Sequence, residues 1–159
     1  MQITLGTRTA ETAELYFHKT NNTTFRRVLP QKAKTAEEAI QDYEQTLLPE
    51  ATSYGRIILA DGQYIGDIWC YCICSDDTPN AMVSYCIFET AYHNKGIATE
   101  AMWLFLEEIT EKFHFKTIGA FTFSENLASI RVLEKSGFAL VEEFIEDGVA
   151  SKYFLLTLS

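Results

Sequence analysis

The chain has 159 residues, the length of one ordinary domain, and its 47% hydrophobic and 13% aromatic content is too apolar for a disordered segment. The net charge of −9, from 22 acidic and 13 basic residues, argues against a binder of phosphate backbones and is compatible with plain solubility or with a cationic substrate such as an amine. No run of about 18 apolar residues is present, and residues 1–6 carry no basic stretch leading into an apolar core, so neither a membrane helix nor a signal peptide is expected.

Residues 2–7 alternate and predict a first strand. Residues 10–19 predict a short helix with Ala13, Tyr16 and Phe17 on one side, and Asn21-Asn22-Thr23-Thr24 predicts a loop. Thr35-Ala36-Glu37-Glu38 has the form of a capping box, in which hydroxyl and carboxylate satisfy free amides at a helix start. Ala36, Ala39, Ile40, Tyr43 and Leu47 follow at helical spacing, and Pro49 closes that helix. Residues 56–60 and 63–74 read as strands joined by an Asp61-Gly62 hairpin turn. Residues 75–80 form a polar loop, and 81–88 a further strand.

The period then changes. Ala98, Ala101, Met102, Phe105, Ile109 and Phe113 recur at three and four, the mark of an amphipathic helix. Residues 116–123 predict a strand and 126–136 a second helix, with Gly137 where a helix end favours a left-handed residue. Residues 138–146 and 149–158 form a final hairpin around Asp147-Gly148. This order predicts a three-layer α/β domain around one mixed sheet, without internal repeats or linkers. The aromatic set Tyr64, Trp69, Tyr71, Tyr85 and Trp103 is assigned to the core. Tyr153-Phe154-Leu155-Leu156 reads as a buried central strand, with a contact to a second copy as the other reading.

Cys70, Cys72 and Cys74 alternate, which is not the spacing of a zinc site. On a strand their side chains share one face, and they read with Cys86 as small buried apolar residues of a reducing compartment.

Two segments carry chemistry. Tyr92-His93-Asn94-Lys95-Gly96-Ile97-Ala98-Thr99-Glu100-Ala101 follows an apolar strand and opens the long helix. A small-residue turn there leaves backbone N–H groups unpaired at the positive end of the helix dipole, a ready place for phosphate oxygens, or simply a tight turn with a structural glycine. The segment has neither G-x-x-x-x-G-K-[ST] nor G-x-G-x-x-G, which excludes a nucleoside-triphosphate loop and a dinucleotide fingerprint. Farther on, residues 126–138 read N-x-x-S-x-x-x-x-E-K-x-G-F, with Asn126, Ser129 and Leu133 on one helical face.

Together the two segments resemble the GNAT superfamily of acetyl-CoA-dependent N-acetyltransferases, nearest to the branch that includes the ribosomal-protein acetyltransferases RimJ and RimL. That family's loop runs Arg/Gln-x-x-Gly-x-Gly/Ala, and His93-Asn94-Lys95-Gly96-Ile97-Ala98 stands in its place. The match covers residues 81–140 most strongly. The resemblance implies an α/β fold (α+β by some schemes) of three layers, with a mixed sheet of about six to seven strands and about four helices, formed by residues 1–159 as a single domain. It implies acetyl-CoA as cosubstrate, no metal, an amine acceptor, no nucleic-acid or membrane partner, a monomer or homodimer, and a cytoplasmic location.

By the same resemblance, the backbone of Ile87 and Phe88 pairs with the pantetheine arm where the fourth strand splays from the fifth at a bulge. The diphosphate rests on the amides of Asn94, Lys95, Gly96, Ile97, Ala98 and Thr99. His93 replaces the family's Arg or Gln, and Lys95 is a candidate to restore the lost charge. Asn126 matches the residue that hydrogen-bonds pantetheine. The tyrosine acid of many family members is absent, since its position holds Leu133, and Ser129 is the implied stand-in facing the thiol. Its other reading is a helix-surface serine bonded to its own backbone.

Glu89 and Asp67 are rival candidates for the base that frees the attacking amine of its proton, and each also reads as an ion-paired or solvated carboxylate. His18 and His114 match no motif position. The activity implied is acetyl transfer to a primary amine on a protein N-terminus, polyamine, antibiotic or small metabolite. The alternative is an acyl-CoA-binding module without turnover, supported by Leu133. A channel open to solvent on the acceptor side separates the two, since a blocked one favours the module.

Overall fold

Two hairpin turns set the register of the sheet. Asp61 and Gly62 have φ of 48° and 83°, Asp147 and Gly148 φ of 51° and 78°, the geometry whose twist matches that of paired strands. Around the first turn, β2 (Tyr54–Ala60) pairs antiparallel with β3 (Gln63–Cys74), and around the second β6 (Ala139–Glu146) with β7 (Val149–Thr157). A computed structural model of the chain describes residues 1–28 and 33–158. The remaining elements are β1 (Ile3–Thr7), α1 (Ala10–Thr20), α2 (Thr23–Val28), α3 (Ala36–Gln45), β4 (Asn80–Ile87), α4 (Ile97–Phe113), β5 (Thr117–Phe123) and α5 (Leu127–Lys135). The seven strands form one mixed sheet in the order β1-β2-β3-β4-β5-β7-β6, within the expected range.

Alternation along β3 separates the outer layers. Ile68 is buried with Met102, Phe105 and Ile109 of α4. Its neighbour Trp69 points the other way and meets the edge of the Tyr16 ring of α1. Thus α4 and α5 cover one face, while α1 and α3 pack on the other. Of the α4 residues predicted to face the core, Ala101, Met102, Phe105 and Ile109 are fully buried and Ala98 and Phe113 are half-buried against it; each large one, such as Phe105, contributes about 1.5–3 kcal/mol on burial. Trp103 departs from its assignment: it sits on the outer side of α4 and is 54% exposed.

Several local expectations are corrected. The loop at residues 21–24 is a short connection into α2, because the Asn22 side chain accepts the Phe25 N–H at 3.1 Å and starts a helix. α3 ends at Gln45, before Pro49, and leaves Leu47 exposed. In the capping box, Thr35 accepts the Glu38 N–H, but the Glu38 carboxylate takes the N–H of Lys34 instead of Thr35. The three alternating cysteines do not share a buried face. Cys70 is buried, Cys74 half-buried and Cys72 exposed, because Cys72 takes φ of 52° where the β3–β4 register slips. β7 is interior in the sheet, but only Phe154 of its apolar run is buried. No helix among the described residues is long and apolar enough to cross a membrane.

Two features place the end of β4. Register passes from Ile58↔Gly66 to Leu59↔Tyr64, so Ile65 is the extra residue of a bulge in β3. Gly66 follows, and a Cβ there would run into the Cys86 carbonyl and come within 2.8 Å of Ile87 Cα. Only glycine lets the two backbones approach this closely. On its other side β4 pairs in parallel with β5 through Asn80, Ala81 and Met82 alone. Beyond Met82 the two strands part.

Candidate functional site

A cleft of about 540 Å³ fills the opening between β4 and β5. Its walls come from β4 (Val83 to Ile87), the turn from Tyr92 to Gly96, the first turn of α4, Ala120 to Thr122 of β5, and α5 from Asn126 to Lys135. Thr24 and Phe25 of α2 line it too. Tyr85 and Ile87 point to the face covered by α4 and α5, Ser84 and Cys86 to the other, and all four line the opening. The cleft therefore passes through the sheet.

One mouth is built for anions. Asn94 and Gly96 have φ of 60° and 76°, and such left-handed residues before a helix turn successive N–H groups to one side. Gly96 is the N-cap of α4, and its carbonyl takes the Glu100 N–H at 3.1 Å. The N–H groups of Ile97, Ala98 and Thr99 have no partner within the helix. A Cβ on Gly96 would have nothing within 4 Å, so its φ rather than crowding requires glycine. Lys95, Arg131 and Lys135 add positive charge, and no Asp or Glu lines the cleft among the described residues.

The end of β4 alternates its polar groups. The Phe88 N–H donates to Ile65 O at 2.9 Å and so is spent on β3. The Ile87 carbonyl accepts from His93 Nε2 at 2.7 Å, which fixes the proton on that nitrogen. Of these two strand residues, only Ile87 lines the cleft, while the Phe88 ring packs edge-on against Tyr64 and Tyr16.

His93, Asn94, Lys95, Gly96, Ile97, Ala98, Thr99, Asn126 and Ser129 are brought together around the opening. The Asn126 side chain caps α5 by accepting the Ser129 N–H at 3.2 Å. The Ser129 hydroxyl lies near the Tyr85 phenol. Burial pushes the Tyr85 pKa up, and the nearby Ser129 hydroxyl works against the rise. Tyr85, expected in the core, packs half-buried against it and also lines the cleft. Its place in the same β4 alternation as Ile87 is the signal that puts it on the cleft.

The two carboxylates lie outside the lining. Asp67 is 3% exposed, with one oxygen 2.8 Å from Arg8 Nε and the other accepting from the Tyr64 hydroxyl. Burial raises its pKa, against the opposing pull of Arg8 and the two hydrogen bonds. Glu89 is half-buried just past β4, in an ion pair with Lys19 of α1 at 3.2 Å. Beside Asp67, the Cys86 thiol is pushed up to about 12 by burial and lies against the Tyr16 hydroxyl, which has no nitrogen or oxygen partner. Among the described residues no three His, Cys, Asp or Glu side chains gather to hold a metal ion. His18 and His114 stay outside the cleft lining, His114 as the left-handed C-cap of α4.

A family model described as an acetyltransferase (GNAT) domain matches residues 2–139. The probable N-acetyltransferase YjcK of Bacillus subtilis (strain 168) is 30% identical over 114 residues, which are 71% of this chain and 59% of that protein. The match thus spans less than two thirds of that relative's length. Spermidine N-acetyltransferase from Vibrio cholerae, in complex with CoA and spermine, superposes with a TM-score of 0.86 at 16% identity, covering 98% of this chain and 95% of that one. RimL, the ribosomal L7/L12 alpha-N-protein acetyltransferase in complex with coenzyme A, gives a TM-score of 0.85 at 14% identity over 99% and 95% of the two chains. At these identities the two structures bear on the fold.

Proposed function

Because the chain belongs to the acetyltransferase (GNAT) domain family, we propose that it is an N-acetyltransferase that moves the acetyl group of acetyl-CoA onto a primary amine, as one domain of the cytoplasm. The observation that carries this reading is the cleft through the sheet, with unpaired helix amides and cations at one mouth and an opening on the opposite face. The diphosphate rests on the amides from Asn94 to Thr99, and the pantetheine arm lies along β4 at Ile87 with Asn126 beside it.

The neutral amine attacks the thioester carbonyl, and an amide N–H of β4 that faces the gap steadies the oxyanion. The C–S bond then breaks, the thiolate takes a proton from the Ser129–Tyr85 pair, and the second proton on the former amine nitrogen leaves through water and restores that pair. A phenol is the stronger acid of the two and lies nearer a thiol on the pKa scale, so Tyr85 is the donor and Ser129 its partner. Glu89 takes the amine's proton, directly or through water, once the acceptor's ammonium has displaced Lys19. Asp67 serves to hold Arg8 and Tyr64, since both its oxygens are engaged.

A binding module without turnover is supported by Leu133, but Tyr85 beside Ser129 and the open second mouth weigh against it. Thiol release from acetyl-CoA across a panel of amines tests the reading. Amine-dependent release supports it. Stabilisation by acetyl-CoA without release from any amine favours the module, and no stabilisation removes the loop assignment.

A further inference from the structure

The second mouth of the cleft has a chemistry of its own. On β5, Ile118 and Ala120 turn into the core, and Phe121 turns to the opposite face, where it is 55% exposed and lines the cleft. Its ring lies 5.0 Å from that of Tyr153 on β7 and 5.8 Å from that of Phe144 on β6. Phe25 of α2 lines the same opening. A single exposed apolar side chain carries little meaning, but joined rings continuous with a cleft mark a surface that receives a ligand.

The charges narrow the ligand further. The cations of the cleft are Lys95, Arg131 and Lys135, and none of its lining residues is acidic. The nearby carboxylates are engaged, Asp67 by Arg8 and Tyr64, and Glu89 by Lys19. A polycation entering here would give up hydration at each charge and find partners for few of them. One ammonium has a place, in exchange with Lys19 at Glu89. The acids of β6, Glu142 and Glu146, are exposed outside the cleft lining, where ion pairs steer more than they bind.

We infer that the acceptor is a primary amine with a single positive charge on an apolar or aromatic body, and that Phe121, backed by Tyr153 and Phe144, receives that body. This rests on the transferase reading above. It runs against the polyamine class that the net charge of −9 would by itself favour.

The test measures kcat and KM for thiol release from acetyl-CoA with 2-phenylethylamine, the tripeptide amide Phe-Ala-Ala, ethylamine and spermine, using the protein and its Phe121→Ala variant. The expected result is a kcat/KM roughly tenfold or more higher for phenylethylamine or the tripeptide than for ethylamine and spermine. The small amine and the tripeptide then distinguish a metabolite from a peptide terminus as the source. In Phe121→Ala the phenylethylamine-to-ethylamine ratio falls roughly tenfold, through KM. General damage to folding or to acetyl-CoA binding would not move that ratio. Spermine used as well as phenylethylamine, or a ratio unchanged in Phe121→Ala, overturns the inference. No release from any of the four amines, with acetyl-CoA still bound, overturns the transferase reading and this inference with it.

Discussion

The ring of His93 donates from Nε2 to the carbonyl oxygen of Ile87 at 2.7 Å, tying the first residue of the anion-binding turn to the end of β4. Both residues line the cleft, so the bond braces the turn against the strand at its mouth. His93→Ala therefore loosens the turn, and CoA affinity measured by calorimetry is expected to fall by about threefold to tenfold, the worth of one neutral hydrogen bond. His93→Gln keeps a side-chain N–H donor and is expected to bind within about twofold of the parent. Equal loss in both variants would mean that the ring's packing matters and its hydrogen bond does not.

Gly96 combines a left-handed φ of 76° with open space around its missing Cβ. Gly96→Ala strains the backbone by about 1–2 kcal/mol and is expected to retain weakened CoA binding. Gly96→Asp adds a carboxylate where the diphosphate belongs and is expected to abolish the thermal shift caused by acetyl-CoA. An unchanged shift in Gly96→Asp would remove the diphosphate from this turn.

Tyr85 and Ser129 lie near each other in the cleft lining and act as one unit in the proposed proton transfer. Tyr85→Phe keeps the ring in place. Tyr85→Phe and Ser129→Ala are each expected to lower kcat by about a hundredfold, with KM for acetyl-CoA within about twofold. The double variant is expected to be little worse than either single one, since members of one unit are not additive. A wild-type kcat in Tyr85→Phe would leave thiolate protonation to solvent.

Legibility in the sequence followed the range of the interactions. The hairpins at Asp61-Gly62 and Asp147-Gly148 and the long helix are local and were readable from turn chemistry and period. The bulge at Ile65 was not, because nothing in Tyr64-Ile65-Gly66 announces that β2 will skip one residue. That bulge puts Tyr64 and Asp67, which a regular strand would point to opposite faces, on the same face. It converts a candidate base into a doubly held buried group. Tyr85 and Phe121 were hidden for a related reason. Alternation says which face a residue takes, and only the parting of β4 from β5 says that those positions border a gap.

Asp67 gives a stability prediction. Its pKa is raised by burial, so the folded state takes up a proton at higher pH than the unfolded chain, whose aspartate titrates near about 3.9. Its contribution is fully present below that unfolded value and is lost as pH rises through the raised folded value. Asp67→Asn keeps the shape and one acceptor oxygen, which serves Arg8, while its NH2 donates to the Tyr64 hydroxyl. The stability advantage of the parent over Asp67→Asn is therefore expected to be larger near pH 4 than near pH 7, as read by chemical denaturation at the two values. The opposite trend would show that Arg8 outweighs burial.

Glu89 and Asp67 are told apart by rate. Glu89 lies next to the cleft end of β4, and its one ion-pair partner, Lys19, is itself half exposed and able to move. Asp67 offers no free oxygen. A base must be ionised to accept the ammonium's proton, so kcat/KM for the preferred amine should fall at low pH as that carboxylate protonates. Glu89→Gln is expected to cost about a hundredfold or more and to erase this acidic limb. Asp67→Asn is expected to keep the limb, with any loss of rate the same at every pH. If Asp67→Asn erased the limb and Glu89→Gln kept it, the two roles would be exchanged. If both variants kept it, the proton would leave through water alone.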